Sequence, residues 1–420
     1  MNGKKGRGAS EDEGIRVNGD LVKFLAYELA SPFDRLRANA NSKRQSSPGK
    51  TSKFSAILAG KPQPENLLPE TRPNRLQFNI LAAIGMRISH GIPVQADAPV
   101  ALTIGNFDGV HLGHQAMLAR LKKAAERLGL ESCVMIFEPH PREFFAPDKA
   151  PTRLTSLREK LELLAAAGVE RVHVCRFDFD FARIPAEDFI VRILQHGLAA
   201  RWVLVGDDFR FGARRAGDYD MLKAFSAEGG FEVEEMPGFT VNGLRVSSTA
   251  VREALAAGEL DLVKCLLGRF YSISGRVVDG DKLGKKIGFP TANIQLKHNR
   301  PPLAGIFAVE VEMEASGNET PSSLEVPSLD TLRGVASLGV RPTVHEHGKP
   351  VLEVHLFDFD QEIYGRHLRV HFLHKLRDEE KYSDLEALTR QIGRDVDNAH
   401  KYFSSLSRAP ALSEKKLVQR

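Results

Sequence analysis

The run Gly105-Asn106-Phe107-Asp108-Gly109-Val110-His111-Leu112-Gly113-His114 carries residue types suited to handling a phosphate. It lies between a short apolar run, residues 100–105, and a stretch with helical period. Its glycines permit a tight turn and close approach of backbone to a ligand. The helix that follows offers free N–H groups and the positive end of its dipole to an anion. His111 and His114 are three apart and so share one face of the first helical turn. Two imidazoles there could donate hydrogen bonds to phosphate oxygens and stabilise the charge that builds on an α-phosphate as pyrophosphate departs. Positioning and charge neutralisation would suffice, with no covalent intermediate. Taken alone, the pair could equally be two satisfied histidines in a helix cap.

Three further segments could serve the same place. Pro139 and Pro141 flank His140 and rigidify a loop that presents it with Arg142. Asp208 and Arg210 follow an apolar strand-like run. Ser247, Ser248 and Thr249 stand at a helix start, where hydroxyls and N–H groups can hold phosphates, and Arg252 adds a fixed cationic fork. Each alone is also explained by capping or surface solvation.

A second constellation lies in the last third of the chain. Gly280 to Asn293 is glycine-rich with three lysines, and its backbone with Gly284, Lys285 and Lys286 could cradle phosphates. It is not a GxxxxGK[ST] loop. In the Pro290-Thr291-Ala292-Asn293 run, Thr291 and Asn293 project to one side if extended, and their oxygens suit Mg²⁺. Leu352-Glu353-Val354-His355-Leu356 alternates, which puts Glu353 and His355 on one face. A carboxylate on a rigid strand can take the proton of an attacking alcohol.

These residues need a framework, and the pattern supplies one. Strand-like runs near 100–105, 133–137, 171–175, 202–206 and 231–236 alternate with helical stretches at 113–129, 157–167, 186–196, 218–228 and 247–257. That alternation predicts a Rossmann-like parallel α/β sheet, whose ligands bind beyond the carboxyl ends of its strands. From about Gly268 the period changes to two. Runs at 271–278, 305–313, 332–338, 352–357 and 368–373 predict a small antiparallel β-barrel, closed by a C-terminal helix at 384–398. Residues 315–330 read as a polar loop and 408–420 as a frayed tail.

The first run resembles the signature of the HIGH-type nucleotidylyltransferases. More narrowly, it is similar to the FAD synthetase module of bacterial bifunctional riboflavin kinase/FAD synthetases. Phe137–Phe145, Val205–Gly212 with Arg215, Gly217 and Asp218, and Ser247–Arg252 match that family in the same order. Pro290–Asn293, Gly334–Thr343 and Leu376–Lys381 match its riboflavin kinase half, with Ser337-Leu338 standing where Asn-Ile is expected. The likeness spans about residues 95–405. It implies an α/β nucleotidylyltransferase domain, 95–268, followed by a β-barrel riboflavin kinase domain, 269–405. It further implies that Gly105, Asn106, Phe107, Asp108 and Gly113 line the ATP site with His111 and His114, and that Ser247, Ser248, Thr249 and Arg252 clamp pyrophosphate. By the same resemblance His140, Arg142, Asp208 and Arg210 meet flavin, Thr291 and Asn293 contact MgATP, and Glu353 is the base for the riboflavin 5′-hydroxyl. Arg377 is then a flavin contact. Riboflavin, FMN, FAD and ATP are the expected small-molecule partners, with Mg²⁺ as cofactor.

Composition narrows the alternatives. An apolar fraction of 42% and a charged fraction of 27% are those of an ordinary globular protein. There is no apolar run of about 18 residues, so no membrane partner is expected. The net charge of +4 is concentrated in residues 1–90, which carry an excess of seven positive charges. That polar, aperiodic stretch reads as a disordered basic extension. Met86, directly ahead of the first convincing strand, would serve as an initiator, which would place the preceding residues outside the natural protein. Without aromatic interleaving the extension does not argue for nucleic acid. Cys133, Cys175 and Cys265 are sparse and odd in number, as expected of buried reduced thiols in a cytoplasmic protein. Self-association is left open. A flavin-binding sensor without turnover would be expected to lack His111, His114 or Glu353, and all three are present. A transferase acting on another phosphorylated alcohol, with a barrel that only binds, is disfavoured by Thr291, Asn293 and Glu353.

Overall fold

The computed structural model describes residues 85–280, 283–297, 300–313, 331–340 and 350–408. The expectations for residues 1–84, the polar loop at 315–330, Arg341–Thr343 and the tail beyond 408 lie outside these.

The first half is a parallel α/β sheet. Strands β1 (Arg87–His90), β2 (Val100–Ile104), β3 (Glu131–Glu138), β4 (Arg171–Arg176), β5 (Ala200–Gly206) and β6 (Glu232–Met236) line up in the order β1-β4-β3-β2-β5-β6. Every neighbouring pair is parallel. All five residues of β2 are buried, as expected for a strand covered on both faces. Helices α1 (Leu112–Leu128) and α2 (Leu157–Ala166) cover one face through Leu118, Leu121, Leu161 and Leu164. A helical turn at Ala186–Asp188 runs on as a π-helix, Phe189–Gly197. With α3 (Tyr219–Gly229) it covers the other face through Phe189, Ile193 and Leu222. Sequence order reverses between β2 and β5, so the carboxyl ends of these two strands form the topological switch point where such sheets bind ligands.

A hairpin of β7 (Thr240–Val241) and β8 (Leu244–Arg245) leads to α4 (Ser248–Ala257) and α5 (Leu260–Leu267). A closed antiparallel barrel follows: β9 (Tyr271–Val278), β10 (Ala292–Gln295), β11 (Gly305–Met313), β12 (Leu332–Val340), β13 (Pro350–Leu356) and β14 (His367–Arg377). Alternate residues such as Leu352, Val354 and Leu356 fill its interior. The C-terminal helix α6 (Leu385–Arg408) packs Ala399 and Phe403 on the outer face against Ile306, Ala308 and Leu373.

Several elements differ from expectation. β1 falls within the stretch assigned to the N-terminal extension. Its four residues alternate too briefly to register, and it forms by pairing with β4. α5 was not anticipated, although Leu260, Val263 and Leu267 have helical spacing. α6 runs ten residues further, because Ala399 and Phe403 extend its apolar stripe. β10 is a sixth barrel strand with only Ile294 buried. Cys133 and Cys175 are buried, and burial pushes both thiols up to about 12, so they stay protonated. Cys265, by contrast, is exposed: α5 turns 260, 263, 266 and 267 inward and leaves 265 outside.

Candidate active sites

The first site is built on the turn that leaves β2 at the switch point. Phe107, Gly109 and Val110 all take positive φ, +47°, +80° and +39°. A Cβ on Gly109 would lie 2.7 Å from the Leu154 side chain, so glycine is required there twice over. A β-branched residue at positive φ is strained, and Val110 must be held by its surroundings.

Asp108 supplies part of that hold from inside. Its carboxylate accepts from the Leu154 and Thr155 N–H groups at 3.0 Å, from the Thr155 hydroxyl at 3.1 Å and from Arg252 at 2.6 Å. Burial alone would raise its pKa, but Lys160, the Leu154 N–H and Arg252 together hold it below the ordinary carboxylate value. Arg252 also donates to the Thr152 carbonyl at 2.6 Å, and the Ser248 hydroxyl donates to the Asp108 carbonyl at 3.0 Å. Asp108 and Arg252, both expected to face phosphate, are thus bonded to each other and tie α4 to the turn. Ser247 caps α4 by accepting from the Ala250 N–H, while Thr249 is exposed.

His111 is the N-cap of α1 and accepts at Nδ1 from the His114 N–H at 3.2 Å. The neutral ring therefore carries its proton on Nε2. The two imidazoles stack at 3.7 Å between centroids, and Phe107 lies 4.8 Å from His114. Burial pushes His111 down to about 4 and His114 well below its ordinary value. Near neutral pH both are uncharged, so they can act as hydrogen-bond donors rather than cations. Nδ1 of His114 and Oδ1 of Asn106 are occluded from solvent without a hydrogen-bond partner. Gly105 and Gly113 pack against the Phe107 and His111 rings, where added Cβ atoms would come within 3.1 and 3.2 Å.

A water-sized cleft of about 10 Å³ adjoins this turn, lined by Asp108, Glu138, His140, Arg153, Lys160 and Arg252 among others. His140 caps the short helix Pro141–Phe145, and burial lowers it to about 4. Arg142 is exposed and does not line the cleft. Asp208 and Arg210 follow β5 across the switch point; both are exposed, and Arg210 donates to the Phe209 carbonyl.

The second site lies on the outside of the barrel. Glu353 pairs in register with Asn293 on one neighbouring strand and with Ser337 on the other. Residues directly opposite point to one face, so Asn293, Glu353 and Ser337 form a polar row around the barrel. A cavity of about 230 Å³ opens there, lined by Gly284, Thr291, Ser337, Glu353, Arg377, Glu379, Tyr382 and residues of α6. The lysine-bearing loop contains a short helix, Leu283–Lys286. A Cβ on Gly284 would lie 2.3 Å from the Phe289 carbonyl oxygen and 3.2 Å from the Thr291 hydroxyl, and one on Gly280 would lie 2.2 Å from the Asn293 amide. These glycines let the loop close onto Pro290-Thr291 and Asn293; the Pro290 carbonyl is 2.9 Å from His355 Nδ1. Lys285 does not line the cavity, and the Lys286 side chain lies outside the described residues. Arg377 lines it, but its guanidinium is bound to Asp395 of α6 at 2.7 and 2.9 Å. Burial raises Glu379, whose carboxylate packs over Gly339.

Comparison with known proteins sets these sites in context. The FAD synthetase family model matches residues 94–250, and the riboflavin kinase model matches residues 267–403. A bifunctional riboflavin kinase/FMN adenylyltransferase from Pseudomonas fluorescens is 48% identical, covering 70% of this chain and 90% of its own. Its Escherichia coli K12 counterpart is 46% identical over 76% of this chain and 98% of its own.

The chain belongs to the bifunctional riboflavin kinase/FMN adenylyltransferase family.

A solved Streptococcus pneumoniae structure titled a macrolide-efflux protein has the same fold at 27% identity, with a TM-score of 0.62 over 75% of this chain and 99% of that one. Among the described residues no helix is long and apolar enough to cross a membrane.

Several residues packed around the first turn were not singled out in the sequence. Glu159 had one legible signal, the Ser156-x-x-Glu159 capping box at the start of α2, which Thr155 and Lys160 flank. Arg269, Tyr271 and Ser274, in the other half of the chain, had no local signal. They reach the site only because the barrel docks beside it.

Proposed function

We propose that the two sites act in series. The barrel transfers the γ-phosphoryl of ATP to the 5′-hydroxyl of riboflavin, giving FMN and ADP. The α/β domain then transfers AMP from a second ATP to the FMN phosphate, giving FAD and pyrophosphate. The observation that carries this reading is the closure of two separate motif sets into two separate sites, one at the switch point and one on the polar row of the barrel.

At the barrel, Glu353 takes the proton of the hydroxyl as it attacks the γ-phosphate. Thr291 and Asn293 supply oxygen donors that fit a hard divalent cation, and Gly284 and Gly280 let the loop backbone close against them. Mg²⁺ bound there would neutralise phosphate charge. At the α/β site, His111 and His114 donate hydrogen bonds to the α-phosphate as its charge grows, and the start of α1 adds its N–H groups. The unpartnered Asn106 Oδ1 and His114 Nδ1 support a ligand at this turn, since occluded polar atoms are normally bonded. Ser247, Ser248 and Thr249 receive pyrophosphate, with Asp108 and Arg252 holding α4 in place to do so. His140, Arg142, Asp208 and Arg210 border the flavin side, and Arg377 positions α6 over the barrel cavity. The enzyme works on small molecules in the cytoplasm.

Incubating the chain with riboflavin, ATP and Mg²⁺ and separating flavins by chromatography tests the reading. FMN should appear first and FAD after it. Glu353→Ala should abolish FMN formation and leave conversion of supplied FMN to FAD. Loss of both activities in a folded variant would overturn the two-site assignment.

A further inference from the structure

The turn that carries His111 is held from the far side by a residue of the barrel half. Arg269 sits between α5 and β9. Its guanidinium donates to the Gly109 carbonyl at 2.6 Å, to the Val110 carbonyl at 3.1 Å and to the Leu267 carbonyl at 3.2 Å. Gln115 of α1 reinforces two of these three points, donating to the Val110 carbonyl at 2.9 Å and to the Leu267 carbonyl at 2.8 Å. No carboxylate among the described residues forms an ion pair with Arg269, and burial lowers its pKa to about 10. Its charge is directed at the carbonyls of the turn.

These are the carbonyls of two positive-φ residues. A trans peptide points its N–H opposite to its C=O. Fixing the Val110 carbonyl on Arg269 therefore fixes the His111 N–H away from the barrel, at the start of α1. It also fixes the strained Val110 conformation that sets where the His111 ring emerges. Charge-assisted hydrogen bonds to a planar, two-pronged donor suit this task in a way that an ammonium does not.

We propose that Arg269 is a positioning residue for adenylylation: it acts through the Gly109-Val110 backbone to hold His111 and the α1 N-terminus in register with the α-phosphate. This rests on the α/β domain being the adenylylation site. It assigns to the kinase half a part in the other half's reaction.

The test uses the full chain and measures FMN-to-FAD and riboflavin-to-FMN conversion on the same preparations. Arg269→Met keeps the apolar stem and removes the fork; Arg269→Lys keeps the charge. For Arg269→Met, kcat for FAD formation should fall tenfold or more with KM for FMN within threefold, while FMN formation stays within twofold of the parent. Arg269→Lys should recover less than a third of the loss. The inference is overturned if FAD formation by Arg269→Met stays within threefold of the parent, if both activities fall together, or if lysine restores the rate. Should Arg269→Met fail to fold, Arg269→Lys decides: a selective loss of fivefold or more supports the role, and a rate near the parent's removes it. A parent chain that makes no FAD from FMN would instead sink the site assignment beneath the proposal.

Discussion

At the scale of single residues, His111 combines a structural task with the chemical one proposed for the pair. His111 caps α1 with the nitrogen that faces the helix, which leaves the other nitrogen to donate outward. Because burial holds His111 near 4 in the folded chain, against about 6.5 when unfolded, the unfolded state takes up the proton first. Stability is therefore full above about pH 6.5 and is lost as pH falls toward 4, by about 3 kcal/mol at most from this group. His111→Asn keeps a capping side chain but cannot titrate. Urea unfolding between pH 7.5 and 4 should show a shallower pH slope for the variant than for the parent. Equal slopes would mean that His111 is not the group being protonated. The spacing of His111 and His114, and the face shared by Glu353 and His355, were legible because period and residue type encode them locally. The inward engagement of Asp108 with Arg252 was not: the two lie 144 positions apart, and only the fold brings them together.

At the scale of elements, α2 links the two halves. Glu159 closes the capping box on the Ser156 N–H at 2.7 Å and with its other oxygen accepts from the Ser274 N–H and hydroxyl on β9, at 2.6 and 2.9 Å. Glu162, on the same helix, pairs with Arg369 of β14, and the Tyr271 hydroxyl donates to the Leu154 carbonyl at 3.0 Å. Glu159→Ala would orphan buried donors on both sides of this seam. It should cost about 3 kcal/mol in chemical denaturation, since each unsatisfied buried donor costs about 1–3 kcal/mol; a change below about 1 kcal/mol would show that water replaces the carboxylate. Most elements were readable from period: the central strands as short apolar runs, the barrel from its alternation, α2 as a helical stretch stopped by Gly168. β1, β10 and the hairpin β7-β8 were not, because strands of two to four residues carry too little pattern and depend on their partners. α6 was read short because the buried residues beyond Asn398, Ala399 and Phe403, are few and owe their burial to the barrel wall.

At the scale of the whole molecule, the apolar core beneath α4 and α5 is continuous with the barrel interior: Leu154, Val251 and Leu255 belong to one buried cluster with Tyr271, Phe307 and Phe372. Two domains that share a core should melt together. Calorimetry should give one transition whose van't Hoff and calorimetric enthalpies agree, whereas two resolved transitions would mean that the halves fold independently. The carbonyl clamp on Gly109 and Val110 adds an obligation of a different kind. Thermodynamic linkage is symmetric. Whatever free energy a nucleotide at the turn sends through Arg269 into β9 must return, in equal measure, when flavin binds the barrel. If Arg269 transmits binding energy in this way, each substrate is an effector of the other site, and the coupling can be read from either end as one ratio of dissociation constants.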